Sequence, residues 1–153
     1  MTEQREILFR GKRVDNGEWV YGLLWKKRPN NSRDIFISFY DDDNDSTKEE
    51  RVFDLTIGQY TGLKDKNGKK IFEGDIVKFQ RYVNASTDYD VGVIRFGNYK
   101  QFDNFKNIKH KHQGFYIEWF KDDIAKNMKK RSIDYENLEV IGNVHDNPEL
   151  LEV

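Results

Sequence analysis

Residues 58–77 read Gly58-Gln59-Tyr60-Thr61-Gly62-Leu63-Lys64-Asp65-Lys66-Asn67-Gly68-Lys69-Lys70-Ile71-Phe72-Glu73-Gly74-Asp75-Ile76-Val77, and the spacing is that of antiparallel strands joined by tight turns. Asn67-Gly68 stands between Leu63 and Ile71-Phe72, and both residues accept the positive φ a two-residue hairpin turn requires. Glu73-Gly74-Asp75 turns the chain again before Ile76-Val77-Lys78-Phe79 resumes as a strand. Gly58, Gly62, Gly68 and Gly74 are read as turn positions needing unusual φ. The Asp75 carboxylate can accept backbone N–H groups and fix the entry to the next strand. Tyr60 and Leu63 are expected to pack under the hairpin, the Tyr hydroxyl reaching a polar edge. A tyrosine among glycines with lysines nearby also invites a phosphate-binding reading. The spacing fits neither a dinucleotide fingerprint nor a P-loop, so turn chemistry is preferred.

Toward the N-terminus, Asp15-Asn16-Gly17 makes a second hairpin turn, between Ile7/Phe9 and the return strand Trp19-Val20-Tyr21-Gly22-Leu23-Leu24-Trp25. Gly22 interrupts that strand and predicts a bulge or a close backbone approach. Ile35–Tyr40 is a further strand, Asp41–Lys48 an exposed acidic loop, and order resumes at Val52, Phe53 and Leu55. Toward the C-terminus the pattern gives a strand over 91–96 broken at Gly97-Asn98, another over 114–120, and a closing strand at 138–144. Residues 82–89 are polar and turn-prone. Asp122 or Asp123 can cap a short helix through 124–130, and Pro148 suits the first residue of a final helical turn. Many short strands with few short helices predict a mainly β protein with minor α, a barrel or small sandwich. The expected division is an N-terminal β lobe over 1–57 and a barrel region over 58–153 carrying an insert at 100–131, the two lobes sharing a core.

The chain has 153 residues, of which 35% are charged and 14% aromatic. Those aromatic anchors distinguish it from a disordered polyelectrolyte. With no cysteine, disulfides, thiolate zinc sites and cysteine nucleophiles are excluded. No apolar run approaches the ~20 residues of a membrane span, and MTEQREILFRG has no apolar signal core. The expectation is therefore a cytoplasmic protein without a membrane partner. The net charge of -1 conceals blocks: residues 39–54 carry two bases against seven acids, residues 100–131 nine against four, and residues 132–153 none against six. Complementary blocks suit association between subunits, whereas a basic segment suits phosphate backbones.

Three segments resemble the YopX-like proteins of phages and prophages: residues 5–10 (Arg5-Glu6-Ile7-Leu8-Phe9-Arg10), the central 58–77, and the tail Ile141-Gly142-Asn143-Val144-His145-Asp146-Asn147-Pro148-Glu149-Leu150-Leu151. The resemblance implies a small SH3-like barrel, a homo-oligomer and a bacterial host cytoplasm. It implies no activity and offers no catalytic residues. The sequence departs from the shorter family pattern at the acidic residues 41–50 and the basic stretch Lys100–Lys111.

Few residues assemble into recognisable chemistry. His110 and His112 fall on one side of a strand, a spacing that can hold zinc, but neighbouring lysines oppose a cation and a surface pair is preferred. Asp41, Asp43 and Asp45 alternate as in a calcium loop, yet Ser46 and Val52 occupy the positions where an EF-hand needs Gly and Glu. No serine lies in a nucleophile elbow. The expectation is thus no catalytic, cofactor or metal site, and a non-enzymatic oligomeric assembly or adaptor module with an unidentified protein partner. The alternative is a nucleic-acid binder, in which Lys100, Lys106, Lys109, His110, Lys111 and His112 interleave with Phe102, Phe105, Phe115 and Tyr116 as in single-strand platforms. An enzyme is the third reading.

Overall fold

The turn chemistry sorts the chain into antiparallel sheets in a computed structural model, which describes residues 4–31, 33–80, 89–103, 105–120, 130–133 and 137–152. Two units divide the chain, Met1–Gly62 and Leu63–Val153. The first contains β1 (Phe9–Lys12), β2 (Trp19–Lys26), β3 (Ile35–Asp41), β4 (Ser46–Arg51) and most of β5 (Gly58–Lys64). Their order is β4-β3-β2-β1-β5. Gly17 has φ 74°, and its N–H donates to the Arg13 carbonyl at 3.0 Å, closing the Asp15-Asn16-Gly17 turn.

Gly22 is where β2 changes partner. Phe9 of β1 lies opposite Gly22, while Leu23 is already opposite Ser38 of β3. A Cβ at position 22 would stand 2.0 Å from the Ser38 carbonyl oxygen, so this is a close backbone approach that only glycine allows. Val20, Ile35, Ile37 and Val52 form the core of the unit, with Phe9, Leu24, Phe39 and Ile57 partly buried against it.

The acidic stretch departs from expectation. Only residues 42–45 form the turn, and Ser46–Arg51 pairs with β3 along its length, from Asp41↔Ser46 to Phe36↔Arg51. Its polarity is that of an edge strand rather than a loop. Asp41 forms an ion pair with Lys48 and accepts a 2.7 Å bond from the Asn44 amide. Those two partners, Lys48 first, hold its carboxyl down to about 2.

The first unit runs to Gly62, and within it Gly58 and Gln59 pair with Arg10 and Phe9 of β1. The second unit holds β6 (Lys70–Phe72), β7 (Asp75–Gln80), β8 (Tyr89–Asp103), β9 (Ile108–Trp119), β10 (Lys130–Ser132) and β11 (Leu138–Asn143). Five of these form an antiparallel sheet in the order β10-β9-β8-β7-β11. Both faces of this sheet are buried. Val77, Ile94, Ile117 and Trp119 join Ile71 and Leu138 on one side, while Ile76, Val91 and Val93 meet Ile141, Val144, Leu150 and Leu151 on the other. Strict alternation would send Val140 and Gly142 to one face. The register shifts between them, so Ile141 is the extra residue of a bulge, packed against the second core.

The molecule is mainly β. Its helical content among the described residues is two 3-10 turns, Asp54–Thr56 and Pro148–Leu151, the latter opened by the proline expected there. Of the anticipated helix over 124–130 only Lys130 is described, and it opens β10; of the polar stretch over 82–89 only Tyr89 is described, and it opens β8.

Candidate functional site

The central motif is a structural clasp. Gly62, Gly68 and Gly74 have φ of 87°, 81° and 87°, as turn positions should. Gly58 does not share this conformation. It opens β5 as a buried residue opposite Arg10. Within the hairpin the Asp65 N–H donates to the Lys69 carbonyl at 2.8 Å, and the Gly68 N–H to the Asp65 carbonyl at 2.9 Å, with Asn67 at the tip. Tyr60 is buried and Leu63 is exposed, so the two do not pack together. Side chains three apart on a strand point to opposite faces. The Asp75 carboxylate is buried and accepts the Phe72 N–H at 2.8 Å, fixing the Gly74 turn as its position suggested.

Asp65 does more than the sequence reading asked of it. Its Oδ1 accepts the Asn67 and Lys69 N–H groups, each at 2.9 Å. Its Oδ2 accepts the Val140 N–H at 3.0 Å, tying the hairpin to β11. Burial raises this carboxyl, but the N–H bonds from Val140, Lys69 and Asn67 outweigh it and leave the group below the usual carboxylate range. Alongside, Lys66 forms a 2.9 Å ion pair with Glu139, which lowers the Glu139 carboxyl. The carboxylates of Asp65 and Asp75 thus serve the turns of the motif.

The basic residues lie elsewhere, on a long ribbon made by β8 and β9. The two strands pair from Gly92↔Trp119 to Asp103↔Ile108. Thus β8 does not break at Gly97-Asn98. Gly97 sits opposite Gly114, with φ of 150° and 146°, and these paired glycines carry the ladder through a conformation that side-chain-bearing residues rarely adopt. Inward of them the ribbon belongs to the core through Ile94, Ile117 and Trp119. Outward of them residues 98–113 carry four lysines and one acid, Asp103.

Just past the glycine pair, the Tyr99 ring is stacked on Tyr116 at 4.9 Å and on His112 at 5.2 Å. Tyr99 is thereby buried, which raises its hydroxyl. His110 follows His112 at 6.4 Å between ring centroids, tilted. Among the described residues no three His, Asp or Glu side chains gather as metal ligands. Phe96 and Phe115 meet edge-on at 5.0 Å. Lys100, Lys106, Lys109, Lys111, His110 and His112 are all exposed. Lys100 is directly opposite Lys111, and among the described residues no carboxylate pairs with either. At the tip Phe105 is 102% exposed and Ile108 47%. The candidate cations are therefore gathered on one projecting element. Tyr116 is buried, Phe115 is half-buried, and the side chain of Phe102 lies outside the described residues. The paired glycines and Tyr99, which organise the ribbon, escaped the sequence reading. The spacing of Gly97, Tyr99, His112 and Gly114 about one crossing point was the available signal.

The family model for YopX protein matches residues 8–152. The chain belongs to the YopX family. The crystal structure of protein EF1440 from Enterococcus faecalis is similar to this YopX protein, with a TM-score of 0.53, 24% identity, and coverage of 97% of this chain and 99% of that one. That likeness bears on the fold. Among curated proteins none matches the chain. Both specific sequence segments, 58–77 and 141–151, lie inside the matched span.

Proposed function

We propose that this YopX-family protein works by binding rather than by catalysis, and that the β8/β9 ribbon grips nucleic acid through its phosphate backbone. The observation that carries this reading is the Lys100–Lys111 pair. Like charges directly opposite on a two-stranded ribbon destabilise it, and here no carboxylate among the described residues offsets them. A polyanion does so, releasing counterions as it binds. Lys106 and Lys109 extend the same field toward the tip. With a net charge of -1 the chain as a whole attracts a polyanion weakly, in keeping with a small, salt-sensitive footprint. Retention of nucleic acid at ~50 mM salt that disappears by ~200 mM supports the reading, and no retention at ~50 mM overturns it.

A second reading, a homo-oligomeric assembly module of a phage or prophage acting in the host cytoplasm, draws on the first unit. Tyr21, Leu23 and Tyr40 are 45%, 60% and 56% exposed, and Trp25 stacks on Phe36 at 5.0 Å on adjoining strands. Apolar area of this kind marks contact surfaces. Light scattering at micromolar protein tests it: a stable oligomer is the expected result, and a monomer removes the reading.

A further inference from the structure

The outer part of the β8/β9 ribbon has two unlike faces. Successive residues of a strand point to opposite sides, and residues directly opposite one another share a side. The pairs are Asn98↔Gln113, Tyr99↔His112 and Lys100↔Lys111. Tyr99 and His112 therefore lie on one face, and Asn98, Gln113, Lys100 and Lys111 on the other. The first face is taken up by its own rings, Tyr99 being stacked on both His112 and Tyr116. On the second face all four residues are exposed, and neither amide side chain hydrogen-bonds to another described residue.

Two carboxamides side by side are more than a grip on phosphates requires. Lysines neutralise phosphates whatever the sequence. An amide carries a donor and an acceptor on one planar group, the counterpart of the acceptor and donor that a base edge displays, and contacts of that kind carry sequence information. The element that presents them also has a suitable form. The major groove of DNA, about 12 Å wide and 8.5 Å deep, admits a two-stranded β-ribbon, whose strands lie about 4.8 Å apart. Six residue pairs run from Asn98↔Gln113 to Asp103↔Ile108, a length of about 17 Å at ~3.4 Å per residue, enough to fill that width. The major groove of an RNA duplex is too deep and narrow for side chains to read.

We propose that this face of the ribbon enters the major groove of duplex DNA, where Asn98 and Gln113 bond to base edges while Lys100 and Lys111 hold the flanking phosphates. Adenine is the expected base, because its N7 acceptor and N6 donor are the pattern that Asn and Gln match with two hydrogen bonds. Directly opposite side chains start about 5 Å apart, so the two amides fall on bases one or two steps apart at ~3.4 Å per step. This inference rests on the nucleic-acid reading above and deepens it by naming the form of the ligand and the two residues that determine specificity.

The test uses the full chain and a pool of short DNA duplexes with a randomised centre, at ~50 mM salt. The wild type should enrich a shared sequence that contains adenine. Asn98→Ala/Gln113→Ala should keep the wild-type salt slope and the affinity for unselected duplex, but lose about tenfold or more of the preference for the selected one, the scale of one or two base contacts. Rebuilding the selected duplex with 7-deaza-adenine removes the N7 acceptor and leaves the phosphates in place. Wild-type binding should then fall about tenfold, a result that needs no variant to fold. Binding of the pool without enrichment, the same preference in the double variant, or unchanged binding of the 7-deaza duplex overturns groove reading and leaves the phosphate-gripping ribbon standing. So does tighter binding of the matching single strand or RNA duplex. No binding of any of these at ~50 mM salt overturns both.

Discussion

Asp65 shows how much one buried carboxylate can hold. Three backbone N–H groups from two parts of the second unit converge on it. Asp65→Asn replaces one acceptor oxygen with a donor, leaving at least one N–H unsatisfied; a loss of about 2 kcal/mol is expected in urea unfolding. The pH dependence follows from the sign of its shift. The folded pKa lies below the unfolded value, so the stabilisation is fully present above the unfolded value of about 3.9 and is lost as pH falls through the folded one. Thermal melts between neutral pH and about pH 2 should therefore fall less steeply for Asp65→Asn than for the wild type; parallel curves would rule out this role. Gly22→Ala tests a different constraint, since its Cβ would meet the Ser38 carbonyl oxygen at 2.0 Å. The backbone of β3 has to move, and a loss of about 3 kcal/mol in the unfolding free energy is expected. A change below about 0.5 kcal/mol, the range of ordinary surface substitutions, would mean that β2 and β3 do not approach this closely.

The strands were legible in proportion to how much of them is buried. Ile35–Asp41, Asp75–Gln80 and Leu138–Asn143 each place apolar residues in a core, and each declares itself by composition. β4 and the outer ribbon do not. Ser46–Arg51 is an edge strand held by backbone pairing and the Asp41–Lys48 ion pair, and residues 98–103 are paired with 108–113, which are largely solvated. Without a buried face there is no alternation to read. The same logic explains why the lysines were visible as residues while their arrangement was not. Lys100 and Lys111 face each other in the same register that pairs Gly97 with Gly114. Gly114→Val should cost about 1–3 kcal/mol, since a branched side chain at φ 146° is strained. The loss should appear in hydrogen exchange as weaker amide protection over 98–113. Unchanged protection there would show that the glycine pair does not set the ribbon's conformation.

For the whole molecule, the sequence identified a mainly β chain of the YopX family, and the structure and family match bear this out. The charge blocks belong to this scale as well: residues 39–54 carry seven acids and 132–153 six, whereas residues 98–113 carry four lysines and one acid. The most direct measurement is therefore the salt dependence of DNA affinity for the wild type beside a Lys100→Gln/Lys111→Gln variant. Binding by the wild type should weaken steeply with salt, and the variant's log–log slope should be shallower by about 2, close to 0.9 for each phosphate contact removed. Equal slopes and affinities for the two proteins, or no binding by the wild type at ~50 mM salt, would contradict the account.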